Sequence, residues 1–477
     1  MKINMNVILP AAAASCLIFG LNGCASSPKP AASSGAAAEK AERPARTSVP
    51  EAEKTEGVIF AERLQAALAE DDIEAALAYF DGLPEQLADD ADLEMLRASL
   101  LISAGRLDDA GKAVRQLAEK NAGNVEILEL NAQLAIASGD KKAQQAALDK
   151  LLAADPRNAS ANIIKGNQYA LAKKYKLAAQ SYKKALDAEP SNEDALFGYG
   201  QMSYYAGNVK AAEHTLKRLL DVNPENSMAL CYLGKLAAED ENYLAATQYI
   251  ERAIAIDGKN YDFYIDYGTY LRYRGKFDDA EAAWTKAVSL LPDYFLAYAY
   301  RAGLYDERGQ FQKALADYRK VVQTNPKYYF AYEEMGILEF HEGDWAAARK
   351  AFLKANEISA SAAYQLMIAA TYLKEKNTFE AKKYAQAAMK GMGRDTLEYK
   401  MMRMYHDQGG ANAENALAKD LEKESDRNKR GRMMYYFALY YELKGYQQLA
   451  RDYYEKVVSM KSPMFFEYRL AEWGIGR

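Results

Sequence analysis

Six glycines, Gly105, Gly139, Gly207, Gly275, Gly309 and Gly343, stand 34 or 68 residues apart. Five of the 12 prolines, Pro156, Pro190, Pro224, Pro292 and Pro326, keep the same interval. Glycine and proline are the residues that punctuate backbone structure, so a period they hold this long restricts the chain to a repeat architecture. Each period is then one supersecondary unit that cannot bury its apolar face alone, and stacked neighbours supply the core. A single compact core for 477 residues is not required, because such a stack grows by adding units.

Between the punctuation marks the pattern is helical. In the stretch from Tyr261 to Tyr294, Tyr264, Tyr267, Gly268 and Leu271 form one stripe of an α-helix. Gly275-Lys276 interrupts the stripe. Ala280, Ala283, Trp284, Ala287, Val288 and Leu291 resume it, and Pro292 stops it. Two amphipathic helices joined by so short a turn must lie antiparallel. Gly268 and Ala280 are small where the backbones approach, and Trp284 is large where the next hairpin must be covered.

The same register places alanine at 76, 110, 178, 212, 246, 280, 314 and 348, with Gln144 in the one exceptional slot. Four places on come Phe80, Val114, Leu148, Tyr182, Leu216, Ile250, Trp284, Tyr318 and Phe352. Nine units therefore run from about Gly57 to Ser361, the seventh starting at Tyr261 and the fourth at Ala159. A tenth, with Tyr372, Ala381 and Ala388, is one residue short, and an eleventh near Thr396 to Arg430 is blurred. A twelfth, with Tyr441, Gly445, Ala450, Tyr454 and Pro463, is clear again, and Met464 to Trp473 is expected to cover the open end of the stack.

The order of small and large residues, with Gly268, Ala280, Trp284, Ala287 and Pro292, resembles the tetratricopeptide repeat (TPR), whose 34-residue period it shares. The resemblance implies an all-α fold, a right-handed α-solenoid of about 11–12 hairpins. It also implies a concave groove lined by the first helices. Matched position by position, the groove would present Phe197, Gln201, Tyr204 and Tyr205, then Lys235 and Glu239, then Asp262, Ile265, Arg272 and Tyr273. Asp306, Glu307, Phe330, Glu333, Phe340 and His341 continue it. This is a wall of aromatics and carboxylates, and aromatic anchors bury much area at low entropic cost. Several of them could equally pack between adjacent first helices. A family variant that clamps a partner's C-terminal carboxylate is disfavoured: Asn167 occupies one clamp position, but Ile163 stands where its lysine belongs.

Residues 1–23 combine Lys2 with an apolar run shorter than the roughly 20 residues of a spanning helix, as in a secretory signal peptide. The run ends in Leu21-Asn22-Gly23-Cys24, which resembles a bacterial lipobox; the resemblance implies acylation of Cys24 after cleavage. Asn22 departs from that motif, and Ala25 rather than Asp after the cysteine implies transfer to an outer membrane. Residues 24–55, rich in Ala, Ser, Pro, Lys and Glu, are expected to form a flexible tether with a reach of roughly 30 Å. Residues 56–158 then form early, irregular repeats, 159–361 a regular array, and 362–477 the C-terminal repeats and final helix.

Formal charge is −5 (61 basic against 66 acidic residues), and no basic stripe suits nucleic acid. Of the three cysteines, Cys16 would leave with the leader and Cys24 would be lipidated, which leaves Cys231 without a partner for a disulfide. His214, His341 and His406 are scattered, and no nucleophile, metal or phosphate motif occurs. Carboxylate pairs such as Asp278-Asp279 and Glu333-Glu334 read as solvated helix faces. The chain is thus expected to be a non-enzymatic scaffold without cofactor. A protein or peptide partner would occupy the groove, and the membrane would be met through the lipid only, in the bacterial envelope. The alternatives are a periplasmic small-ligand carrier working with a transporter, or a factor docking cell-wall enzymes. Of 36 tyrosines only Tyr79 precedes residue 161, so binding is expected to concentrate in residues 192–345.

Overall fold

The computed structural model describes residues 56–476. The signal peptide, Cys24 and the tether lie outside the described residues. These residues form 25 α-helices and one short 3-10 helix, Glu85–Leu87, with no strand among them. They divide into two compact parts at Asn223/Pro224. The first part holds five hairpins and the second seven hairpins and a final helix, and within each part consecutive hairpins pack side by side.

From unit 2 to unit 9 every first helix has 13 residues and every second helix 14. The third unit, irregular in sequence because Gln144 replaces the alanine, keeps these lengths, since Ala147, Leu148 and Leu151 still bury its face. The turn glycines at 105, 139, 207, 275, 309 and 343 all have φ between 68° and 83°, the left-handed region where a side chain is strained. The slots the glycines leave open are filled by Asp71, Lys173, Glu241 and Lys376, which adopt the same conformation at φ 55° to 62°. Backbone geometry thus holds the register where the residue type does not.

Helix starts carry a second lattice. Asp90, Asn124, Asn158, Asn192, Asn226 and Asn260, each 34 residues after the last, cap the first helices of units 2 to 7 by accepting backbone N–H bonds one turn in. Each such cap contributes about 1 kcal/mol. Tyr294 and Tyr328 take the next two slots without a side-chain cap. Their rings pack instead, Tyr294 on Tyr261 at 5.2 Å and Tyr328 on Phe295 at 5.1 Å.

The lattice alanines at 76, 110, 178, 212, 246, 280, 314 and 348 are all fully buried. The bulky residues four places on are buried too, from Leu148 and Phe352 at 0% exposure to Tyr318 at 7%. Glycines of the first helices make room for them. A Cβ on Gly268 would lie 2.5 Å from the Trp284 indole nitrogen, and one on Gly198 would lie 2.5 Å from the Tyr182 ring.

The regularity ends after unit 9. Unit 10 has helices of 13 and 12 residues, and unit 11 opens with only 11, stopped by Gln408 at φ 61° and the following Gly409-Gly410. Unit 12 opens with 17 residues, Arg427–Leu443, whose Tyr435, Tyr436, Phe437, Leu439 and Tyr440 are all buried. The final helix, Phe466–Gly474, covers this hairpin and also reaches back to units 8 to 10.

Candidate interaction surfaces

In the first part, Tyr205 is 48% exposed and stacks on Tyr175 at 5.2 Å, while Tyr204 meets it edge-on at 5.4 Å. Phe197 and Gln201 are half-buried on the same helix, Glu193–Tyr205. Asn167 accepts a hydrogen bond from the Tyr182 hydroxyl at 2.5 Å, so the one residue at a clamp position serves the packing of its own unit. Burial, helped by Asp194, pushes the Tyr182 hydroxyl up to about 12, and it stays a donor.

In the second part Tyr273 repeats the arrangement of Tyr205. It is 61% exposed and lies nearly parallel to Tyr243, 4.6 Å away. His341 meets Phe311 edge-on at 5.4 Å. All three pairs are 30 residues apart and join the last residue of a first helix to the opening residue of the preceding unit's second helix. Rings braced in this way are ordered before any partner arrives.

The remaining predicted positions separate by burial. Ile265 and Phe340, each 7% exposed, belong to the core: Ile265 packs with Ala287 and Ala297, and its carbonyl accepts the Trp284 indole N–H at 3.2 Å. A stripe that faces a neighbouring first helix is half-covered by it, so spacing alone does not separate groove from seam. Charged positions pair between units, Lys235 with Asp266 at 2.8 Å and Arg272 with Glu307 at 2.9 Å. Glu239 and Asp262 are exposed, and Phe330 is 48% exposed against Tyr329. Cys231 is buried, its thiol pushed up to about 12 by desolvation, which leaves it unreactive.

Asp306, Glu333 and His341 come together around the final helix. Arg469 pairs with Asp306 and, at 3.2 Å, with Glu334; Trp473 stacks on His341 at 3.9 Å; Glu333 accepts the Tyr364 hydroxyl at 2.5 Å. Burial raises the carboxyls of Asp306 and Glu333 and takes Glu334 up to about 7, although 31% of its side chain is accessible; Arg469 opposes this for Asp306 and Glu334. Beside them, Glu467 is fully buried, pushed up to about 7 by desolvation, and accepts the Tyr436 hydroxyl at 2.7 Å. Sequence reasoning missed Arg469 and Glu467, gave Trp473 only as the end of a covering segment, and took Glu333-Glu334 for a solvated face, whereas both are half-buried against the final helix and its neighbours. Arg469 lies 163 and 135 residues from its partners, and no periodicity carries a contact of that range.

Among the described residues, no group of three or more His, Cys, Asp or Glu is placed to hold a metal, and no helix is long and apolar enough to cross a membrane.

A tetratricopeptide repeat profile matches residues 130–193, 200–261, 266–329 and 304–363, and a second profile of the same description matches 169–230. Similar solved structures include a tetratricopeptide repeat protein from Parabacteroides merdae (22% identity, 51% of this chain and 97% of that one, TM-score 0.40). Others are PilF of Pseudomonas aeruginosa (19%, 44% and 96%, TM-score 0.36) and YrrB, described as a TPR protein with an unusual peptide-binding site (21%, 39% and 95%, TM-score 0.33). No curated protein matches the sequence.

Proposed function

The chain belongs to the tetratricopeptide repeat family, and from that premise we propose that it is a non-enzymatic scaffold that holds a protein partner at a bacterial envelope. The observation that carries this reading is the pair of braced, exposed tyrosines at groove positions, Tyr205 on Tyr175 and Tyr273 on Tyr243. Each offers a large amphipathic face whose ordering cost is already met within the fold, and partner contacts gain from such preorganisation. Two open clefts are bordered by charged side chains, one of about 380 Å³ by Glu333, Glu334, Arg469 and Glu472 among others, and one of about 550 Å³ by Asp452, Glu455 and Lys456 among others.

Replacing Tyr204, Tyr205 and Tyr273 together by alanine is expected to reduce partner capture from an envelope extract by about tenfold or more, with the helical circular dichroism unchanged. Capture at the wild-type level, or co-purification of small molecules only, would remove the scaffold reading.

The anchor rests on the sequence around Cys24. Cys24→Ala is expected to move the chain from the membrane fraction to the soluble fraction, checked by fractionation and by loss of labelled fatty acid. A variant that still incorporates the label would refute lipidation at this residue.

A further inference from the structure

The helix Phe466–Gly474 lies across units 8 to 10, against residues of both their first and their second helices. Its side chains at 466, 469 and 473 share one helical stripe, and each has a receiving group. Phe466 stacks at 6.1 Å on both Phe352 and Tyr364, Arg469 pairs with Asp306 and Glu334, and Trp473 covers His341 and meets Phe311 at 5.5 Å. The Arg469 guanidinium also lies 4.3 Å from the centre of the Trp473 ring. An arginine between two aromatics, held by two carboxylates and an aromatic wall, is how a groove takes up an amphipathic helix.

The seat is imperfectly filled. A cleft of about 380 Å³, open to solvent, lies between Glu333, Glu334 and Ile337 on one side and Phe465, Tyr468 and Arg469 on the other. Glu467 Oε2, on the helix itself, is buried without a hydrogen-bond partner, a cost that exists only while the helix is down. The helix has nine residues, too few to be stable on its own. It follows a connection in which Lys461 has φ 48° and Met464 is 79% exposed. A weakly held segment stays seated because its short tether keeps its effective concentration high.

We propose that this face of units 8 to 10 is a receptor for an amphipathic helix of a protein partner, carrying arginine with aromatic residues three before and four after it. The chain's own final helix occupies that receptor in cis until such a helix displaces it. The identity of the occupant as a protein partner rests on the scaffold reading; the receptor itself does not.

The test uses the full chain and a fluorescein-labelled peptide of residues 463–476, read by fluorescence anisotropy. Arg469→Glu with Trp473→Ala in the chain sets a carboxylate against Asp306 and Glu334 and empties the seat without altering it. This variant is expected to bind the wild-type peptide about tenfold more tightly than the wild-type chain does, and neither chain is expected to bind a peptide carrying Arg469→Glu. Equal affinity for the two chains would overturn the proposal. Should the variant fail to fold, hydrogen exchange on the wild-type chain decides. Amides of residues 466–474 are expected to exchange about tenfold faster than those of residues 427–443, and equal protection would overturn it. A wild-type dimer crosslinked between position 469 of one copy and 306 of the other would refute occupation in cis. A captured partner that does not compete with the peptide sinks this inference and leaves the scaffold; peptide binding with no captured partner does the reverse.

Discussion

Trp284→Ala is expected to cost units 7 and 8 about 3–5 kcal/mol, the range for emptying a buried aromatic site. The ring is 1% exposed, donates its indole N–H to the Ile265 carbonyl and stacks on Tyr300 at 5.9 Å. It also fills the space that the missing side chain of Gly268 leaves. That geometry fixes the sign of a second change. In the wild-type chain Gly268→Ala drives a Cβ into the indole and destabilises. In the Trp284→Ala background the clash is gone, and the same change is expected to stabilise by up to about 1 kcal/mol, the helix-propensity difference between the two residues. Urea unfolding of the four proteins gives the cycle. Because each unit of a stack touches only its neighbours, hydrogen exchange should show the loss concentrated in residues 261–324 rather than spread evenly. Additive effects of the two substitutions would mean that the close approach of Gly268 and Trp284 is not what sets the hairpin's geometry.

The hairpins were legible because their information is local and periodic. Turn glycines, lattice alanines and the bulky residue four places on each recur at fixed offsets, and burial follows them from Ala76 to Phe352. The asparagine caps at 124, 158, 192, 226 and 260 were equally available in the sequence as a further regular series and would have fixed the first-helix starts. The binding face was less legible, since a helix stripe that borders both groove and neighbouring helix reads the same in either role. Tyr273 is exposed and Ile265, two turns before it, is buried. The final helix was legible as a helix but not in its seat. What places it is the pairing of Arg469 with Asp306 and Glu334, contacts between segments that no repeat relates.

The same seat should make stability fall as pH rises through neutrality. Glu467 is fully buried, and desolvation lifts its carboxyl from 4.5 to about 7; the Tyr436 hydroxyl, its own amide and Arg432 oppose the rise, and Glu333 adds to it. Glu334 rises to about 7 as well, Arg469 opposing and Asp306 and Glu333 adding. A carboxyl whose folded value is raised favours the protonated form. Its contribution is fully present below the unfolded value and is lost as pH climbs through the folded one. For Glu467 alone that amounts to about 2–3 kcal/mol between pH 5 and 8. His341, held below its ordinary value by burial and by Arg469, with Glu342 opposing, works against the trend on the acid side, because charging it there is disfavoured. Thermal melts of the full chain at pH 5.5 and 8 are therefore expected to show the lower transition at pH 8, with residues 427–476 the first to lose exchange protection. Glu467→Gln keeps an oxygen to accept the Tyr436 hydroxyl and removes the ionisation, so it should raise stability at pH 8 and flatten the profile by about half. An unchanged profile in this variant would place the pH dependence elsewhere and leave the Glu467 carboxyl neutral throughout the range.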